Sequence, residues 1–465
     1  MEWGGEREKS SNPNAGQAGK ISPVIFGCRK RAKEVRMRAT GGRMVFAAVV
    51  PLLAAGCALV QLRDNLERLD QAGQVGGTVV AEPAGDHPIC VALFKEAPAG
   101  AKNELAAYQV AYGSAAFHFV QPPGRYWLIA FEDANEDGTF QPSERVGWHG
   151  EPTLVELEPG ADLQGLELVL RMPERARREL PDLYANAAPR VPLQLENRHV
   201  GTVADLDAPR FDPEEGLLGM WGPVDFLRKH GAGLFFLEPY DPARIPVLFV
   251  HGMGGTPRNF RHLIEGLDRS RFQACVAHYP TGLRLPLLAR WLGDFLAELQ
   301  SRNGIPRLVV VAHSMGGLVA RGALQQLKDQ GAGRVPLFIT ISTPWQGHPG
   351  AGAGVEHSPV IMPTWYDMAP GSEFLKTLAA EPLPAEMDYV LFFGYRGGSA
   401  MFADGNTDGT LPLASMLDLP MQDRASRTCG FDETHAGILD SAAVSQRLNR
   451  ELDAMAVPAA RRGRH

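Results

Sequence analysis

The 465 residues carry 46 Lys and Arg against 53 Asp and Glu, a formal net charge of −7. Outside the termini no long basic face remains, which argues against a nucleic-acid binder. Apolar residues at 45% and charged residues at 21% are the proportions of an ordinary globular protein, and the length suggests two or three folded units. The five cysteines, Cys28, Cys57, Cys90, Cys275 and Cys429, form no CxxC pair and no zinc spacing, so neither a disulfide framework nor structural zinc is expected. A Cys275–Cys429 bridge stays open if the chain is exported.

Residues 1–43 are polar and basic and read as a disordered extension or a misassigned start, with Met37 as the alternative first residue. The apolar run that follows, residues 44–62, is "MVFAAVVPLLAAGCALVQL". A basic segment, a short apolar stretch and small residues make a secretory signal. The end of the run, "LLAAGC", resembles the lipobox of bacterial lipoproteins, which implies lipidation of Cys57. An uncleaved membrane anchor and an ordinary signal peptide or buried helix are the alternatives. The leading readings place the body of the protein outside the cytoplasm, in the cell envelope, facing the periplasm or the exterior and attached to the membrane at its N-terminus.

Between residues 75 and 172 the pattern changes to short β-rich runs, "GGTVVAE", "ICVALFK", "AAFHFV", "RYWLIAFED", "TLVELEPG" and "GLELVLR", separated by Gly, Pro and Asp turns. Such runs predict a small antiparallel β-sandwich, whose protein partner the sequence leaves unknown. Inside it, "DANEDGTFQPSE" has the spacing of a calcium loop. Asp133, Asn135 and Asp137 occupy positions one, three and five, with Thr139, Gln141 and Glu144 at seven, nine and twelve, which suits a structural Ca2+. The preceding segment is strand-like and Pro142 stands where an exit helix would begin, so a plain Asp/Asn/Gly hairpin is the competing reading.

Charged and proline-bearing residues 173–231 read as a linker. From residue 232 to 455, continuous apolar strands ("RIPVLFV", "RLVVV", "PLFITIST", "MDYVLFFG") alternate with helical spacing as in "PLLARWLGDFLAELQ". That alternation predicts an α/β domain with a mostly parallel sheet covered by helices on both faces. Ligand sites in such folds lie at the carboxyl ends of strands.

One such end carries "VVVAHSMGGLVAR", residues 309–321. A nucleophile elbow places its serine in a strained strand-to-helix turn flanked by small residues, commonly Gly-x-Ser-x-Gly. Here Ala312 replaces the first glycine, one methyl being the smallest departure, while Gly316 and Gly317 follow Ser314. Upstream, "VLFVHGMGG" ends a strand where a backbone N–H is needed for an oxyanion, and Met253 is the candidate donor, with Met315 after the serine as the second. Downstream, Asp408 lies in the "TDG" turn and His435 in "FDETHAGIL". The order Ser, Asp, His suits a relay in which His435 takes the Ser314 proton and Asp408 fixes its tautomer. Asp404, Asp432, Glu433 and Asp440 are the rival carboxylates, disfavoured because Asp408 sits in an Asp-Gly turn followed by an apolar-Pro step.

Together "VLFVHGMGG", "VVVAHSMGGLVAR", "ISTPWQG", "MAPGSEFL", "TDGTLPLAS" and "ETHAGIL" resemble bacterial serine lipases and esterases of the α/β-hydrolase superfamily, including the GPI inositol-deacylase-like group. The resemblance covers residues 240–450. It implies carboxylic-ester hydrolysis through an acyl-enzyme on Ser314, with an ester or lipid substrate and neither a required cofactor nor a metal in the catalytic site. An acyltransferase on the same triad, or a catalytically silent envelope scaffold with the β-sandwich as its interaction module, are the alternatives. The segment between "STPWQG" and "MDYVLFFG" reads as a lid or acyl-chain wall, or as an ordinary loop with one helix.

Overall fold

Strand β11, Ile245–Val250, shows why the C-terminal half forms a parallel sheet. Val247 and Phe249 point to one face, and Leu248 and Val250 to the other, and all four are fully buried. A strand apolar on both faces must be covered on both. The computed structural model describes residues 43–83, 85, 87–98, 103–135, 140–141, 143–149, 154–172, 199–329, 334–399 and 405–456.

Eight strands form this sheet: β9 Val200–Val203, β10 Gly233–Phe236, β11, β12 Phe272–His278, β13 Val309–His313, β14 Leu337–Ile341, β15 Asp388–Gly394 and β16 Arg427–Phe431. Their order is β16-β15-β14-β13-β11-β12-β10-β9. From β16 to β12 every neighbouring pair is parallel. β10 runs antiparallel to β12 and parallel to β9, so those two form a reversed edge. The domain therefore starts by Val200, not at residue 232, which corrects both the domain boundary and the linker 173–231. A strand of four residues, VGTV, is too short for periodicity to reveal, and the helices Pro213–Trp221 and Pro223–His230 that follow are equally brief. Residues 173–198 lie outside the described residues.

On one face of the sheet pack the helices Leu285–Arg302, through Leu288, Leu292, Leu296 and Leu299, and Met315–Asp329, through Leu318, Leu324 and Leu327. The other face is covered by Ala442–Ala456, whose Val444, Leu448, Leu452 and Met455 keep helical spacing. Cys275 on β12 and Cys429 on β16 sit at strands separated by β11, β13, β14 and β15, and both are free thiols. The bridge between them is thereby ruled out.

The N-terminal strands form two sheets. β1 Gly73–Val80, β4 Ala115–Gln121 and β8 Asp162–Val169 make one. β2 Pro88–Lys95, β3 Glu104–Tyr112, β5 Gly124–Glu132 and β6 Val146–Trp148 make the second, with β7 Val155–Leu157 on β5. Val75, Val79, Phe117, Phe119 and Leu168 of the first share a core with Ile89, Val91, Leu93, Leu128 and Ala130 of the second. The expectation of an all-antiparallel arrangement needs correction, because β8 joins β1 in parallel register. Strand alternation reports which face is buried but not which way a neighbour runs.

A helix spans Arg43–Asp70, and Cys57 on it is exposed. Among the described residues no helix is long and apolar enough to cross a membrane. Its C-terminal half docks on the C-terminal domain. Asn65, fully buried, accepts the N–H groups of Val224 and Asp225 at 3.0 and 3.1 Å and donates to the Asp225 carboxylate at 3.0 Å. The helix Pro223–His230 has no side-chain cap of its own, so a residue about 160 positions earlier satisfies its orphan donors. Asn65→Ala should cost about 1–3 kcal/mol, read as a lower urea midpoint, because it strips partners from a buried site. Arg68→Ala, which removes a pair 39% and 35% exposed, should cost below about 1 kcal/mol.

Candidate active site

Ser314 follows β13 and precedes the helix Met315–Asp329. It adopts φ +55, a left-handed conformation that costs a non-glycine residue about 1–3 kcal/mol. The turn is held by the Ser314 N–H, which donates to the Ile341 carbonyl at 2.8 Å, and by the Gly317 N–H, which donates to the Ser314 carbonyl at 2.9 Å. The departure at Ala312 has a simple account. Ala312 is still a strand residue, paired with Val250 and Thr340, and its methyl lies in the core with Leu318 and Val310. The position that cannot take a side chain is Gly316, where a Cβ would stand 2.5 Å from the carbonyl oxygens of both Val250 and His251. At Gly317 a Cβ would meet Thr343 Oγ1 at 2.0 Å.

His435 Nε2 lies 3.0 Å from Ser314 Oγ, and its Nδ1 lies 2.6 Å from Asp408 Oδ2. The second carboxylate oxygen of Asp408 accepts the N–H groups of Thr410 and Leu411 at 3.0 and 2.7 Å. Burial pushes the Asp408 carboxyl up, but the hydrogen bond and charge of His435 and these two amides outweigh it, and its pKa ends below the usual value. Asp408 is therefore ionised at neutral pH and fixes the His435 tautomer with the proton on Nδ1. The His435 N–H also donates to the Asp408 carbonyl at 2.8 Å, which joins the two loops.

Among the rival carboxylates, Asp432 and Glu433 pair with Arg396 and Asp440 is exposed. Asp404 lies outside the described residues. Asp408 alone of the described candidates reaches His435 Nδ1. In the turn after β11, the N–H of Gly254 goes to Thr281 Oγ1 at 3.0 Å and that of Gly255 to the Gly252 carbonyl at 3.1 Å. Gly252 abuts the serine, since a Cβ there would stand 2.8 Å from Ser314 Cβ. Met253 and Met315, the two candidate oxyanion donors, thus follow residues in contact across the site.

Sequence reasoning missed His313, because a histidine inside an apolar strand carries no pattern. Its Nε2–H donates to the His435 carbonyl at 2.9 Å, which ties the His435 loop to the end of β13. Burial, then the neighbouring His435, lowers its pKa to about 3. His251, held neutral by burial with a pKa of about 4, donates from Nδ1 to the Gly252 carbonyl at 3.0 Å. Tyr279 and Thr281, which also contact this turn, sit directly after β12.

The segment after β14 holds three helices, Pro349–His357, Pro363–Met368 and Glu373–Ala380. It is fastened rather than loose: Asp367, 3% exposed, takes Arg284 through two hydrogen bonds of 2.8 Å and accepts the Leu285 N–H at 2.8 Å. Trp365 meets Trp221 edge to face with centroids 6.4 Å apart. Thr364 Oγ1 contacts the Met315 sulfur, which places this helix beside the elbow.

In the loop 133–144, Glu144 accepts the N–H groups of Ala134 and Gln141 at 2.9 and 2.8 Å. These bonds close the loop through its own backbone. Asp133 and Asn135 lie at its start, whereas Asp137 and Thr139 of the calcium reading lie outside the described residues.

Residues 245–377 match the family model described as alpha/beta hydrolase fold, and no curated protein matches the chain. With the sheet order above, this makes the C-terminal domain an α/β-hydrolase fold. Among solved structures, the mature form of lipase BlEst2 from Bacillus licheniformis is similar at 18% identity and a TM-score of 0.38, over 48% of this chain and 98% of that one. A thermophilic esterase from Thermogutta terrifontis is similar at 17% identity and a TM-score of 0.34, over 48% and 94%. Aspergillus fumigatus lipase B follows at 16% and 0.33, over 46% and 56%.

The buried neutral histidines set a pH dependence of stability. His313 and His251 have folded pKa values of about 3 and 4 against an ordinary 6.5. The unfolded chain therefore binds more protons as pH falls through 6.5, and stability should drop from there down to about pH 4. Each such histidine adds a slope of up to about 1.4 kcal/mol per pH unit. Urea midpoints recorded from pH 7 to 4.5 should decline, and His313→Gln should flatten the decline. Midpoints independent of pH in that range would contradict this account.

Proposed function

We propose that the protein is a serine hydrolase that cleaves carboxylic esters, with lipid esters as its natural class, through an acyl-enzyme on Ser314. The observation that carries the reading is the continuous relay from Ser314 Oγ to His435 Nε2 at 3.0 Å and from His435 Nδ1 to Asp408 at 2.6 Å. Esterase and lipase chemistry among the similar structures agrees with it.

In this mechanism Ser314 Oγ attacks the ester carbonyl while His435 Nε2 takes its proton. The imidazolium is stabilised by ionised Asp408 without proton transfer to it. Negative charge on the former carbonyl oxygen meets the N–H groups of Met253 and Met315. His435 then returns the proton to the leaving alcohol, and the acyl group stays on Ser314. Water, deprotonated by His435, attacks the acyl-enzyme, and its collapse releases the acid and restores Ser314.

Apolar residues near the site favour a lipid ester over a small polar one. Trp365, next to the Thr364 that contacts Met315, meets Trp221 edge to face, and Leu217 and Tyr366 on the same two helices are large and exposed. The basic start of the chain, its apolar run and the exposed Cys57 support an exported, membrane-attached protein.

Assay of p-nitrophenyl esters of graded acyl length should show turnover in the wild type, and Ser314→Ala should lower kcat by about a thousandfold or more. Asp408→Asn should lower it by a similar order, since the imidazole then loses its tautomer. A Ser314→Ala protein with wild-type turnover would refute the mechanism. Product analysis with an added acceptor alcohol separates hydrolysis from acyl transfer.

A further inference from the structure

The candidate oxyanion donor Met253 stands in a turn of weak intrinsic order. Gly252, Gly254 and Gly255 surround it, and Gly254 has φ +65. Such a turn lacks the stiffness that electrostatic stabilisation of an oxyanion needs, because a donor must be aimed before charge develops. Something outside the turn has to hold it.

The peptide unit that matters is Gly252–Met253, whose carbonyl and N–H point in opposite directions because the unit is planar and trans. Its carbonyl accepts from His251 Nδ1 at 3.0 Å and from the Gly255 N–H at 3.1 Å. Fixing that oxygen fixes the direction of the Met253 N–H. The His251 ring is in turn stacked on Tyr279, with centroids 4.4 Å apart and planes 14° from parallel. The Tyr279 hydroxyl donates to the His251 carbonyl. Two residues further along, Thr281 Oγ1 accepts the Gly254 N–H at 3.0 Å. The two residues therefore hold the turn on both sides of Met253.

This clamp is itself rigid. Tyr279 is 8% exposed and Thr281 is fully buried, and burial keeps the phenol of Tyr279 protonated as a donor. The Gly282 N–H donates to the Gly219 carbonyl at 2.9 Å. A Cβ at Gly282 would lie 2.2 Å from the Met220 carbonyl oxygen, so this segment packs directly on the helix Pro213–Trp221. The same helix presses on the turn from the other side, since a Cβ at Gly216 would meet the Gly254 carbonyl at 2.5 Å.

We propose that Tyr279 and Thr281, from the segment after β12, are positioning residues that hold the Gly252–Met253 peptide with its N–H aimed at the oxyanion. The inference rests on the ester-hydrolase reading of Ser314 and adds a part to it. Neither residue touches the substrate, so their removal should act on the transition state and leave ground-state binding nearly alone.

The test uses Tyr279→Phe, which removes only the hydroxyl, and Thr281→Val, which removes the acceptor without changing shape, in the full chain. Each is assayed on an oxyester and on the thionoester of the same acid, because a C=S sulfur is the poorer hydrogen-bond acceptor. Each variant should lose about tenfold to a hundredfold in kcat on the oxyester, with KM changed less than about twofold. The loss on the thionoester should be clearly smaller. Thr281→Ser, which restores the oxygen, should recover most of the rate. If Thr281→Val does not fold, Tyr279→Phe and the Thr281→Ser/Thr281→Ala pair decide the matter. Unchanged kcat in the folded variants, or equal losses on both substrates, would overturn the positioning role while the ester-hydrolase reading stands. Wild-type protein with no Ser314-dependent turnover would overturn both.

Discussion

Everything at the site depends on one close approach, that of the helix Met315–Asp329 to the end of β11. Gly316 lies where a Cβ would stand 2.5 Å from the Val250 and His251 carbonyl oxygens. The chain turns from β13 into the helix within one residue, Ser314, which has φ +55. The strain of the turn is offset by burial on both sides of the sheet. Its product is a hydroxyl held above the strand ends, next to Gly252.

The same approach couples the two halves of the site. His251 belongs to β11's exit, and its carbonyl faces Gly316 and accepts from Tyr279. The serine and the Gly252–Gly255 turn therefore share one wall. On the other side, His313 ends β13 and holds the His435 carbonyl. Ser314, His435 and the Gly252–Gly255 turn are thus all tied to two adjacent central strands with buried side chains. Placement of a reacting group on rigid elements is what lets small geometric differences count in catalysis.

Around this centre the peripheral helices are fastened by single buried polar groups. Asp367 caps the helix Leu285–Arg302 at Leu285 and takes Arg284, which fastens the helix Pro363–Met368 beside the elbow. Asn65 does the equivalent for the helix Pro223–His230. In each case a side chain from a distant segment satisfies backbone donors that their own helix leaves open, and so determines where a helix stands relative to the site.

The strong central strands and the Ser314, Asp408 and His435 set were legible in the sequence, because apolar runs on both faces, small residues around a serine and an Asp-Gly turn are local patterns. The edges were not. β9 is four residues long, and β16 alternates without a continuous apolar run, so both join the sheet only because a neighbour's unpaired edge is there to receive them. Parallel pairing of β8 with β1 was equally hidden, since strand direction is a property of the partner. Residue order by itself singled out Ser314, His435 and a short set of carboxylates led by Asp408 as candidates, because strand-turn-helix spacing and an Asp-Gly turn are local patterns. Tertiary structure alone decided what holds them: His313, Tyr279 and Thr281 carry no motif, and their hydrogen bonds exist only once the strands around β11 have packed side by side.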